Sequence, residues 1–109
     1  VKLGIKVMEE DIRSATRGHA CDCPVARATA RAALQVLGVR AVVRVGLVIR
    51  IVTKDRRAFA SVDALPTEVL RWIQGYDGGE EREPIAFEVE FTPMVFGLGD
   101  EIDHMVLSA

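Results

Sequence analysis

The chain reads as an α+β domain: a mainly antiparallel sheet of about four strands with two helices packed on one face. Three observations predict this. Apolar residues alternate with polar ones in residues 1–8, 39–52 and 85–91, which is the period of half-buried strands. Two segments, Pro24–Gly38 and Pro66–Gly75, open on a proline and close on a glycine, with apolar residues at helical spacing between. The resulting order is strand, helix, long strand, short strand, helix, strand. That order suits helices laid on one face of an antiparallel sheet.

In the first strand Val1, Leu3, Ile5 and Val7 point one way, and Lys2 and Lys6 the other. Glu9 to Ser14 predicts a short helical turn, and Arg17 to Asp22 a loop opened by Gly18. From Pro24 to Leu37, a rotation of about 100° per residue gathers Val25, Ala26, Thr29, Ala32, Ala33, Val36 and Leu37 on one face. Arg27, Arg31 and Gln35 fall on the other. The inner face is mostly alanine, so this helix is expected to approach its neighbour closely.

Between Val39 and Val52 the odd positions Ala41, Val43, Val45, Leu47, Ile49 and Ile51 are all apolar, and Gly46 leaves the parity unbroken. A two-residue hairpin turn would switch that parity. One long strand, bent or bulged at Gly46, is therefore the expectation, although a three-residue hairpin loop also keeps the parity. Thr53 to Arg56 is a polar turn, and Arg57 to Val62 a short return strand. Pro66 starts a second helix to about Gln74, with Gly75 as its stop and Val69, Leu70 and Ile73 as its inner stripe. After the turn Asp77-Gly78-Gly79, Pro84 leads into a strand whose Ile85, Phe87, Val89 and Phe91 face the core, with Glu88 and Glu90 outward. If this strand lay beside the long one, Arg44 and Arg50 would pair with Glu88 and Glu90. Residues 1–92 are expected to form a single domain and residues 93–109 a C-terminal tail that packs on it or binds a partner.

With 109 residues, 50% of them hydrophobic and 28% charged, the chain has the composition of a folded domain and is long enough to bury a core without disulfides or metal. A formal net charge of −2 gives no electrostatic drive toward nucleic acid or an anionic membrane. Arg27, Arg31, Arg40, Arg44, Arg50, Arg56 and Arg57 offer a basic face, but no interleaved aromatics make it a nucleic-acid platform. No apolar run approaches the roughly 20 residues of a membrane span. The N-terminus lacks the pattern of a secretion signal, so a cytoplasmic location with reduced cysteines is expected.

The chemistry-bearing residues concentrate in Arg17 to Ala28, RGHACDCPVARA. His19, Cys21 and Cys23 are zinc-type ligands, and His104 is a candidate fourth. The Cys-x-Cys spacing is tighter than structural zinc sites use, and no second pair exists. Cys23 also stands at a helix start, where free backbone N–H groups favour a thiolate, with adjacent Asp22 working against it. No complete catalytic set and no phosphate loop appear. Trp72 at the end of the second helix and Met94, Phe96 and Leu98 in the tail are candidate partner-binding residues.

Glu10 to Ala28, EDIRSATRGHACDCPVARA, resembles small proteins common in phages of high-GC Gram-positive bacteria, which carry an acidic-Ile turn followed by a Cys-Pro-Val-Ala helix start. The later LPTEVLRWIQGYDGG and PIAFEVEF are similar to a second signature of that group, so the resemblance spans about residues 3–92. It implies a small single-domain, phage-encoded protein of the host cytoplasm and names no activity; at Cys23, Pro24, Val25 and Ala26 it is structural. The functional expectation is a non-enzymatic binding protein acting through a protein partner or its own copy, without a cofactor. The alternative is a thiol- or zinc-dependent protein built on His19, Cys21 and Cys23.

Overall fold

The computed structural model describes residues 1–94. The elements are β1 (Lys2–Val7), α1 (Glu9–Ser14), α2 (Pro24–Leu37), β2 (Ala41–Val45), β3 (Ile49–Thr53), β4 (Ala58–Ser61), α3 (Thr67–Asp77) and β5 (Ile85–Pro93). The strands form one antiparallel sheet in the order β1-β5-β4-β3-β2. The α+β class is as expected, with five strands in place of about four.

The extra strand comes from dividing the segment read as continuous. Val45 stands opposite Ile49, so Gly46, Leu47 and Val48 make a three-residue hairpin loop. Val43, Val45, Ile49 and Ile51 all face the core, and Leu47 stands out at the tip. This turn conserves parity, so alternation cannot distinguish it from an unbroken strand.

The expected pairing of Arg44 and Arg50 with Glu88 and Glu90 is also corrected. β5 lies between β1 and β4, which puts Glu90 opposite Lys2 and Glu88 opposite Gly4, while Arg44 faces Arg50.

α2 packs against both β1 and β2, the two edges of the sheet. The sheet therefore curls around this helix. Ala26, Ala28, Ala32 and Ala33 are buried together with Val25 and Thr29, and side chains this small let the two edges close on it. Pro24 supplies a preset φ at the first position, and Gly38 ends the helix at φ 72° with its N–H bonded to Leu34 O at 3.0 Å. Val36, expected on the inner face, is exposed, whereas Leu37 of the same turn packs against the core. Leu3, Ile5, Val7, Ile49, Ile51, Val89 and Phe91 meet the helix side of the core, and Val69, Trp72 and Tyr76 of α3 complete it.

α3 does not stop at Gly75. It continues to Asp77, and the turn is made by Gly78 and by Gly79 at φ 94°. Gly75 lies within the helix. The Arg82 guanidinium and the Glu80 carboxylate lie against the helix there, where a Cβ would meet them and move these flexible side-chain ends aside. Arg82 Nε donates to Trp72 O at 3.2 Å.

α1 is joined to α2 through Asp11. The Met8 N–H donates to Asp11 Oδ2 at 2.8 Å, and Arg31 reaches both carboxylate oxygens at 2.8 and 2.7 Å. Burial alone pushes the Asp11 carboxyl up, but the Arg31 hydrogen bonds, the Met8 amide and the nearby positive charge outweigh it. The group therefore sits below the ordinary carboxylate range. Its contribution to stability is present above the unfolded value near pH ~4 and is lost as pH falls through the lowered folded one.

Two outcomes follow for stability. Asp11→Asn is expected to cost about 2 kcal/mol at pH 7 in urea unfolding, since Arg31 stays partly in water, and the deficit should shrink at pH 3. Thr29 Oγ1 is buried with no hydrogen-bond partner among the described residues. Thr29→Val, which keeps the shape and removes the orphan hydroxyl, should raise stability by about 1 kcal/mol, read as an increased Tm.

Candidate functional site

The loop from Ala15 to Cys23 holds the sequence-predicted cluster. It is tied internally: Thr16 N–H donates to Asp22 O at 2.9 Å, and Thr16 Oγ1 to Asp22 Oδ2 at 2.7 Å. Arg27 Nε donates to Asp22 Oδ1 at 2.9 Å. The Thr16 hydrogen bond is the main reason the Asp22 carboxyl lies below its usual range, with Arg27 adding to it. The loop is also anchored to α3. Arg17 lies over the Tyr76 ring, 4.3 Å from its centroid, and donates to Tyr76 O, while Gly18 N–H donates to Asp77 Oδ1 at 2.9 Å. Tyr76 Oη faces the Ile12 and Ala15 carbonyls at 3.0 and 3.3 Å.

The two cysteines fall into different environments. Cys21 is exposed, as is His19, whereas Cys23 is 3% exposed and its Sγ accepts the Ala26 N–H at 3.4 Å. The sequence argument expected the helix start to lower the Cys23 pKa. Burial instead pushes this thiol up, and the backbone hydrogen bonds from Ala26 and Val25 only partly offset it. Among the described residues, no three His, Cys, Asp or Glu side chains converge as a metal site. His104, Phe96 and Leu98 lie outside the described residues. Trp72 is buried, stacked on Tyr76 at 6.0 Å, with its indole N–H bonded to Glu83 O at 2.9 Å. Met94 packs against Val52 and Ala58. Of the seven arginines, Arg27, Arg31 and Arg57 pair with Asp22, Asp11 and Asp55, which breaks up the basic face.

No protein-family model, curated protein or solved structure matches this chain. The structure itself has to indicate where the protein meets other molecules.

A feature that the sequence argument passed over stands out at the edge of the sheet. Phe91 N–H donates to Val1 O at 2.7 Å and the Val1 nitrogen to Phe91 O at 2.8 Å, so Val1 faces β5. Counting by two, Leu3, Ile5 and Val7 also bond to β5, and the N–H and C=O groups of Lys2, Gly4 and Lys6 point away from the sheet. Arg31 Nη2 meets the Lys6 carbonyl at 2.9 Å, as this alternation requires.

Gly4 is exposed at the middle of that edge. A groove of about 310 Å³ lies between it and Ala28, Ala32 and Gln35 of α2. A second, of about 430 Å³, opens on the outer face beside Ala86, Phe87 and Glu88. At the opposite edge Val45 N–H on β2 is bonded to Ala20 O at 2.9 Å, and a groove of about 490 Å³ lies between Ala41, Val42 and Val43 of β2 and Ala26, Arg27 and Ala30 of α2.

The loop geometry makes a labelling prediction. In the folded protein Cys21 should react with iodoacetamide, whereas Cys23 should react on the order of 100-fold more slowly, only through transient opening of the α2 N-terminus. Mass spectrometry of the Cys21→Ser and Cys23→Ser variants under native conditions reads the two rates separately, and equal rates would contradict the buried cap.

Proposed function

We propose that the protein is a non-enzymatic docking protein that accepts an extended acidic segment of a protein partner as a sixth strand on β1. Gly4 is the observation that carries this reading. Glycine weakens a strand, so its presence there calls for a reason. The fold supplies none. A Cβ at Gly4 would meet nothing within 4 Å, and its φ is not in the left-handed region. Close approach of another backbone is the remaining physical use of glycine in a strand.

The chemistry of the flanks defines the partner. Lys2 and Lys6 stand on either side of Gly4, so a strand laid here meets their positive charge, while Arg31 at the end of the groove is already paired with Asp11. The same lysines disfavour self-pairing. A two-fold antiparallel pairing of two β1 strands about Gly4 would set Lys2 of each copy against Lys6 of the other, a like-charge arrangement that destabilises a sheet. Main-chain hydrogen bonds then supply affinity and alternate side chains supply selectivity. The resemblance of residues 10–28 to phage proteins supports placing this docking in the cytoplasm of an infected bacterium.

The test is a titration of the labelled full chain, followed by amide NMR, with an eight-residue peptide of alternating Thr and Glu and with its Thr-Lys counterpart. The acidic peptide should shift Lys2, Gly4, Lys6, Ala28 and Ala32, and more strongly at low salt. Gly4→Pro removes the outward N–H while leaving the β5 ladder bonds of Leu3 and Ile5, and should weaken binding about fivefold, the equivalent of about 1 kcal/mol. Lys2→Glu with Lys6→Glu should abolish it. Equal binding of both peptides, or shifts that avoid β1, would sink the proposal.

A further inference from the structure

A strand added to β1 sends alternate side chains to the two faces of the sheet, and the side chain opposite Gly4 falls on the outer one. The outer face has a hollow at this point. Gly4 carries no side chain, a Cβ there would meet nothing within 4 Å, and Ala86 on β5 is small and exposed. The groove of about 430 Å³ beside Phe87 and Glu88 is the space these two small residues leave. The register frames it with charge. Lys2 and Lys6 stand two residues to either side of Gly4 on β1, and Glu88 stands directly opposite Gly4 on β5.

We infer that this edge selects a partner strand with an aromatic side chain opposite Gly4 and a carboxylate two residues to each side of it. The inference rests on the reading of β1 as a docking edge and names what the docked strand carries. A ring opposite Gly4 leans over the glycine backbone into the hollow, where any side chain at position 4 would stand in its way; cross-strand aromatics cover strand glycines in this manner. The alkyl stems of Lys2 and Lys6 flank the ring, and their ammonium groups can approach its face. A carboxylate at the central position would instead approach Glu88 across the bare glycine, and like charges repel. The carboxylates belong two residues away, opposite Lys2 and Lys6, as cross-strand ion pairs. The side chains between them turn inward, toward the groove lined by Ala28 and Ala32. Arg31 holds the Lys6 carbonyl at 2.9 Å and so ends the main-chain pairing there, which confines recognition to the positions facing Lys2 to Lys6.

The experiment is an NMR titration of the labelled full chain with three peptides, Thr-Glu-Thr-X-Thr-Glu-Thr, in which X is Phe, Thr or Glu. The Phe peptide should bind about fivefold more tightly than the Thr peptide, and the Glu peptide no more tightly than the Thr peptide despite its extra charge. Only the Phe peptide should move a Gly4 Hα upfield, by the ring current, with NOEs from its ring to that proton. Gly4→Ser keeps both outward backbone groups and puts a side chain into the hollow, where a Cβ meets nothing. It should retain binding of the Thr peptide and bring the Phe peptide to within about twofold of it. If the Phe and Thr peptides bind β1 equally, or the ring contacts fall on the Ala28 and Ala32 methyls, this inference is overturned while the docking edge stands. If all three peptides leave β1 unmoved, both readings are overturned. The wild-type titration decides even where the Gly4→Ser protein does not fold.

Discussion

The fit of α2 between the two edges of the curled sheet is the constraint on which the rest of the structure depends. β1 and β2 are the first and last strands of the sheet and both touch this one helix. Large side chains would hold the edges apart, whereas alanine at positions 26, 28, 32 and 33 keeps the helix narrow where it meets them. Burial there supplies modest apolar area per residue, so stability relies on close contact more than on bulk. The same geometry decides which strand edge stays open. On the β2 side the loop before α2 bonds to the strand at Val45, while on the β1 side Arg31 reaches the Lys6 carbonyl and leaves Gly4 uncovered.

Around that helix, polar groups join elements that the hydrophobic core alone would leave loosely related. Asp11 and Arg31 tie α1 to α2, and Tyr76 with Arg17 ties the connecting loop to α3. These contacts bring together two stretches that lie far apart in the chain, residues 10–28 and 65–79. Gly18 on one bonds to Asp77 on the other, and Tyr76 covers the carbonyls at the end of α1. Cys23 belongs to the same arrangement as a buried helix cap.

Much of this was legible in the residues because the signals were local. Pro24 and Gly38 bound α2 as they should, and the alternation in β1 and β5 identified both strands and their inward faces. Where reading failed, the missing information was non-local. Parity could not reveal the hairpin at Gly46, because a three-residue loop conserves it. Gly75 resembled a helix stop, but α3 runs on to Asp77 and packs the Arg82 and Glu80 side chains over it. Charge pattern suggested that Arg44 and Arg50 meet Glu88 and Glu90, but strand order is set by the packing of the whole sheet. For the site, the conspicuous thiols drew the argument to a loop whose geometry is structural. Gly4 looked unremarkable until its empty surroundings showed that the fold does not require it.

The pairing of the first strand with the last has a consequence for how the protein is made. β1 leaves the ribosome ahead of the other described elements, but its one sheet neighbour among the described residues is β5, formed by residues 85–93. Until those residues emerge, β1 has no partner on either side, and the helix that closes the sheet can dock on only one of its two edges. The hairpins from β2 to β4 can assemble as they appear, whereas completion of the core waits for nearly the whole described chain. Folding that depends on such a distant contact is slow to nucleate, and a chain stalled before Ile85 would present the apolar side of β1 to its surroundings.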